Sequence, residues 1–141
     1  MPKSTIGTYK KTVWKSLATF IKLREADKFG VVTCVTCPKR MSIYDTECNA
    51  GHFVPGRGNS ALFDDAHIFP QCNVCNCQGG GEQFKYGIFL KERYGYDDGV
   101  LDEILCRRHE VKKYTLTELR NIKKNYDRLS DELRKEKGLK C

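Results

Sequence analysis

Two Cys-x-x-Cys pairs, Cys34/Cys37 and Cys72/Cys75, constrain this chain more than any other feature. Two such turns brought together supply four thiolates, the ligand set of a tetrahedral structural zinc. The chain carries eight cysteines, and its N-terminus, Met-Pro-Lys-Ser-Thr-Ile-Gly-Thr, has no apolar stretch of a secretory signal. The pairs therefore read as metal ligands in a reducing cytoplasm rather than as a secreted disulfide framework. Cys77 lies close enough to compete with Cys75, but the knuckle spacing favours Cys75. Cys48, Cys106 and Cys141 are left without a role. No apolar run approaches membrane-spanning length. With 141 residues, 40% hydrophobic and 30% charged, one domain with a modest core is expected, and a structural metal would support it.

The net charge of +7 is unevenly spread. Residues 1–30 carry seven Lys/Arg against two Asp/Glu, residues 31–106 six against ten, and residues 107–141 twelve against six. Basic flanks around an acidic centre suit a polyanion, provided that a bound cation sits in the centre. Either flank alone would be read as a solvated helix face; the pattern as a whole points to nucleic acid.

Periodicity supplies the elements. Val13, Leu17, Phe20, Ile21 and Arg24 share one face of a helix expected over residues 8–28, with Trp14 beside them and Gly30 closing it. Trp14 reads as core packing. Lys10, Lys11, Lys15, Lys22 and Lys28 surround that face. Val31–Thr33 is a short strand into the first cysteine turn, and Met41 to Glu47 returns from it. His52-Phe53-Val54 followed by Pro55, Gly56 and Gly58 reads as a hairpin, and Ala61 to Pro70 as a second strand-like piece containing His67. A helix is expected from Glu82 to Tyr94, with Phe84, Ile88 and Phe89 inward and Gly95 ending it. A short helix from Asp98 to Arg108 is capped by Asp97 or Asp98. Thr115-Leu116-Thr117-Glu118 is a capping box opening the last helix. There Leu119, Ile122, Tyr126, Leu129 and Leu133 form a heptad stripe, open equally to packing within the chain and to dimerisation.

A histidine between the cysteine pairs and an asparagine fused to the second pair exceed what a zinc site needs. A lone histidine is more often structural than functional, but the position of His52 between the pairs turns the reading towards catalysis. The order C-x-x-C, Gly-His, His-Ile, C-x-x-C-Asn resembles the HNH, or ββα-metal, nucleases. More specifically, the chain is similar to the phage NinG/Rap recombination endonucleases. That likeness is carried by Trp14-Lys15, Ile21-Lys22-Leu23-Arg24, Thr33-Cys34-Val35-Thr36-Cys37, Ala50-Gly51-His52-Phe53, Gln71-Cys72-Asn73-Val74-Cys75-Asn76, Tyr86 and Lys113-Tyr114-Thr115. It covers roughly residues 9 to 130. C-x-x-C-Asn also resembles the zinc-stapled junction nucleases of the endonuclease VII type.

The resemblance implies a phage protein that cuts branched DNA, Holliday junctions included, in the cytoplasm of a bacterial host. It implies His52 as general base, Asn76 as a carboxamide ligand of a catalytic Mg²⁺, with Mn²⁺ as the alternative, and His67 at the position of an asparagine that orients the base. Many relatives of this type place Asp or His before the base. Here Gly51 stands there, so a further donor must come from Glu82, His67, Asp64 or Asp65, of which Glu82 is the nominated one. Cys34, Cys37, Cys72 and Cys75 would hold the structural zinc. The expected fold is α+β: a basic N-terminal helix over 1–30, a zinc-stapled ββα-metal core over 31–95, and basic C-terminal helices over 96–141. Two-fold dimerisation through the last helix would supply the two nicks that a junction needs. The competing readings are a zinc-stapled DNA-binding scaffold without catalysis, and an HNH enzyme that nicks ordinary duplex.

Overall fold

The computed structural model of the chain describes residues 3–54 and 59–141. The stretch holding Pro55, Gly56 and Gly58, expected to close a hairpin, lies outside them. Helix α1 spans Lys3–Glu25. It starts earlier than its main apolar stripe because Ile6 and Tyr9 extend the packed face. Val13, Leu17 and Ile21 are fully buried, as the three-and-four spacing requires. The helix ends before Gly30, which serves the next turn instead: Asp27 accepts from the N–H groups of Phe29 and Val31, and Gly30 takes a φ of +75°. The last carbonyls of α1 are satisfied from the far end of the chain. Lys137 Nζ donates to the carbonyl oxygens of Leu23, Arg24 and Ala26 at 2.7, 3.0 and 2.7 Å.

Strands β1 (Val31–Thr33) and β2 (Arg40–Ser42) pair antiparallel around the first cysteine turn. Strands β3 (Cys48–His52) and β4 (Ile68–Cys72) pair antiparallel, with Cys48 opposite Cys72 and His52 opposite Ile68. The expected strand from Ala61 is shorter than read. Its first half forms the turn of helix α2 (Asn59–Leu62) and a 3₁₀ turn at Asp65–His67. The Asp64 carboxylate accepts from Ala66 N–H at 3.2 Å and bends the chain before β4 begins. A π-helical turn at Val74–Gln78 carries the second cysteine pair towards α3 (Gln83–Tyr94).

Helix α3 buries Tyr86 and Leu90 against Phe53 and Phe69 of the hairpin region. Phe84 and Ile88, expected inward, are 83% and 38% exposed. Both stripes are apolar at i, i+4 spacing, and the ring contacts of Tyr86 with Phe53 and Phe69 decide which one faces in. Helix α4 (Asp98–Cys106) is capped by Asp97, and α5 (Leu116–Lys137) by Thr115, whose hydroxyl accepts from Glu118 N–H. The α5 stripe is spent inside the chain. Leu119 and Tyr126 join Val13, Leu17, Ile21, Ala50 and Ile68 in one core, with Ile122 and Leu129 against it. Leu133 packs near the cysteines. The surface nominated for dimerisation is thus covered by α1.

Candidate functional site

The hairpin register and the β1–β2 turn bring both cysteine pairs together. The sulfur atoms of Cys34, Cys37, Cys72 and Cys75 all lie within 4.8 Å of one another. A zinc with Zn–S bonds near 2.3 Å places its sulfurs about 3.8 Å apart in a tetrahedron, and Cys37 Sγ lies 3.8 Å from Cys72 Sγ. The four cysteines can therefore hold a metal ion such as zinc. Burial pushes the Cys34 thiol up, but the Cys72 N–H at 3.3 Å and the Thr36 hydroxyl outweigh it and hold the group at about 7. Burial pushes Cys37 up to about 12. Thiols this close do not ionise together without a cation to hold them. Cys48 is buried in the same cluster, whereas Cys77, Cys106 and Cys141 are exposed.

Beside the cluster lies a cleft of about 770 Å³ lined by Lys15, Lys22, Asn49, His52, Asn76 and Gln83 among others. His52 and Asn76, from β3 and from the π-turn, thus meet on one cavity. His52 Nε2 lies 2.9 Å from the Leu62 carbonyl oxygen. A carbonyl only accepts, so Nε2 carries the hydrogen and the lone pair of the neutral ring sits on Nδ1. Trp14 stacks on the imidazole, with centroids 4.7 Å apart and planes at 17°.

His67 is fully buried behind His52. Its Nδ1 accepts from Val54 N–H at 3.4 Å and its Nε2–H donates to the Ala61 carbonyl at 2.9 Å. Both nitrogens thus face backbone groups on either side of the stretch that follows His52. The other nominated donors are not among the lining residues. Asp64 pairs with Arg107, Asp65 accepts from Tyr126 Oη at 2.9 Å, and Glu82 lies 3.8 Å from Lys85. Among the described lining residues there is no carboxylate; the side-chain donors are carboxamides, one imidazole and the Thr19 hydroxyl. A hard divalent cation fits such a set only with charge from elsewhere, such as a bound phosphate.

Gly51, which stands where an acidic ligand was sought, has a packing reason. A Cβ there would meet Gln71 Oε1 at 2.1 Å. Gln71 is fully buried, and its amide nitrogen donates to Thr36 Oγ1 at 2.9 Å and to the Gly81 carbonyl at 2.8 Å. Tyr86 Oη donates to the Gly51 carbonyl at 2.6 Å, which fixes the end of β3. Arg24 reaches the carbonyls of Asp65 and Ile68 at 3.1 and 2.7 Å while its guanidinium lies over Phe69. Sequence reasoning gave Gln71, Tyr86 and Arg24 no positioning role. The signal available was a polar residue, Gln71, set between the apolar Ile68-Phe69 run and Cys72.

The chain is 29% identical over 125 residues to the ninG proteins of Escherichia phage 933W and Salmonella phage P22, and 27% identical over 125 residues to that of Escherichia phage lambda. These alignments cover 88% of this chain but only 56–57% of those proteins, so the chain spans little more than half the length of its curated relatives. No solved structure matches it. The family described as Bacteriophage Lambda NinG protein matches residues 3–136, which takes in α1, both cysteine pairs, the cleft and nearly all of α5, and this chain therefore belongs to the NinG family.

Proposed function

We propose that this chain is a metal-dependent DNA endonuclease of the HNH, or ββα-metal, type that acts on branched recombination intermediates such as Holliday junctions. The observation that carries the reading is the meeting of His52, Asn76, Lys15 and Lys22 on one cleft beside the cysteine cluster. The β3–β4 hairpin followed by α3 supplies the strand–strand–helix order of such nucleases. Phosphodiester hydrolysis needs a base for water, charge for the phosphate, and stabilisation of the leaving oxygen. His52, with its Nε2–H on the Leu62 carbonyl, takes the water's proton on Nδ1. Lys15 and Lys22 bind the backbone phosphates. Asn76, with Asn49 and Gln83, would hold Mg²⁺ together with a substrate phosphate. When bound, that cation supplies Lewis-acid stabilisation of the phosphate oxygens. A structural zinc on Cys34, Cys37, Cys72 and Cys75 would keep Asn76 in place through the adjoining Cys75.

A second reading, a DNA-binding scaffold without hydrolysis, is favoured by the lack of a carboxylate among the described lining residues. Cleavage of a labelled four-way junction beside linear duplex, with and without Mg²⁺, separates the two. His52→Ala should lower the single-turnover rate by about two to four orders of magnitude and leave junction affinity in Ca²⁺ nearly unchanged. Cleavage at the parental rate would remove the assignment and leave the scaffold. Equal nicking of junction and linear duplex would replace the branched substrate with ordinary DNA.

A further inference from the structure

We propose that Trp14 is a positioning residue for His52: its indole face holds the imidazole in the orientation set by the Leu62 bond and stabilises the ring when it takes a second proton. The inference rests on the hydrolytic role proposed for His52 and extends it to a residue on another element. The core stripe of α1 is Val13, Leu17 and Ile21, all fully buried. Trp14 lies one residue off that stripe, about 100° around the helix, half-buried and on the cleft wall. Its indole lies face to face with His52, whereas the His67 ring is tilted by 44° at 5.3 Å.

The Leu62 carbonyl fixes one edge of the imidazole, Trp14 covers one face and the His67 ring lies against it. A general base becomes a cation when it takes the proton. Among the described lining residues the charged groups are Lys15 and Lys22, and both oppose that charge; Asn49, Asn76 and Gln83 are neutral. The negative face of the indole favours it, because a ring quadrupole attracts a cation held over its face. The stack thus sets both the direction of the ring and the ease with which it accepts the water's proton.

Trp14 is the only tryptophan in the chain, so its emission reports the stack without any nuclease assay. A protonated imidazole in face contact quenches indole fluorescence. In the zinc-loaded protein, emission should fall as pH drops through the titration of His52, and that step should vanish in His52→Ala. A wild type without the step, or a step that persists in His52→Ala, overturns the proposal.

Trp14→Leu removes the aromatic face and Trp14→Phe keeps one. By NMR, Trp14→Leu should move the His52 titration to lower pH by about 0.5 unit, the size of an exposed cation–π interaction, and Trp14→Phe should move it less. The acid limb of the cleavage rate, where His52 must be unprotonated, should move the same way. The plateau rate should fall about 10- to 100-fold with junction affinity nearly unchanged, as expected for a misplaced base. Loss of rate with an unmoved titration makes Trp14 a packing residue, and loss of affinity with an unchanged rate on bound DNA makes it a base-stacking platform; either result refutes the proposal. If Trp14→Leu does not fold, Trp14→Phe and the wild-type fluorescence titration decide it. A titrating stack in a protein that cleaves no DNA overturns the hydrolytic reading and leaves the stack standing.

Discussion

Replacing Gly51 by alanine should destabilise this protein severely, although alanine adds one methyl group and favours ordered backbone. The added Cβ would lie 2.1 Å from Gln71 Oε1 and 3.1 Å from both Gln71 Cβ and Cδ. An exposed amide would swing aside at little cost. Gln71 is fully buried, and its Nε2 ties Thr36 to the Gly81 carbonyl. To make room, the amide must break both bonds. Two buried bonds left unmade cost about 1–2 kcal/mol each here, and overpacking adds about 1 kcal/mol. The expected loss is about 3–5 kcal/mol, a large part of the roughly 5–15 kcal/mol that holds a domain together. Urea unfolding at fixed excess zinc, followed by circular dichroism, should show the midpoint falling by about 1.5–2.5 M for a slope near 2 kcal/mol/M. Gln71→Ala removes Oε1 and Cδ and leaves only Cβ at 3.1 Å, and it loses the same bonds, so adding Gly51→Ala to it should cost less than about 1 kcal/mol, a strongly non-additive pair. Gly51→Ala within about 0.5 kcal/mol of the parent would refute the reasoning, because surface-like tolerance is incompatible with a locked amide. Gly51→Asp carries the same obstruction, so restoring an acidic ligand there should disrupt the hairpin rather than complete a metal site.

Elemental analysis should find one zinc per chain, and Cys72→Ser should lose it and unfold or aggregate. Because burial holds the Cys37 thiol at about 12, its proton must leave on zinc binding, so competition with a chromophoric chelator should show apparent affinity falling from pH 8 to pH 6. DNA affinity should fall steeply with salt, and Lys15→Gln with Lys22→Gln should flatten that slope by about one for each phosphate no longer neutralised; an unchanged slope would mean that DNA does not enter the cleft.

The elements legible in the sequence were those with one dominant signal. Cysteine spacing identified the four sulfurs that cluster, and the stripe of Val13, Leu17 and Ile21 identified the buried face of α1. Asp97 and Thr115 each cap the helix that follows. Where two signals competed, local pattern failed. On α3, Phe84/Ile88 and Tyr86/Leu90 have the same spacing, and only the tertiary position of Phe53 and Phe69 selects the second pair. The heptad stripe of α5 cannot reveal its partner; that partner is α1, a helix far away in the chain. Asp64 and Asp65 resembled metal ligands because carboxylates do, yet Arg107 and Tyr126 engage them from α4's end and from α5. The stack of Trp14 on His52 has no local signal, since it depends on how α1 crosses β3.

A chain of hydrogen bonds joins the cysteine cluster to the cleft. Strands of three and five residues do not hold a geometry alone. Here the Cys34 sulfur meets the Thr36 hydroxyl, Gln71 links that hydroxyl to the Gly81 carbonyl, and Gly81 N–H donates to the Cys75 carbonyl at 2.9 Å. The loop that forms one wall of the cleft is thus tied to both cysteine pairs, and Asn76 follows Cys75 directly. A structural zinc contributes on the order of 10 kcal/mol, far more than such short strands. The opposite wall, with Trp14, Lys15 and Lys22, belongs to α1, whose position depends on the apolar core with α5 and on Lys137 at its end. The two walls are therefore held differently: one is tied to the cysteine cluster, which a bound zinc would lock, and the other is held by hydrophobic packing. His52 stands where they meet, with its backbone in β3 and its ring against Trp14, so its geometry depends on both.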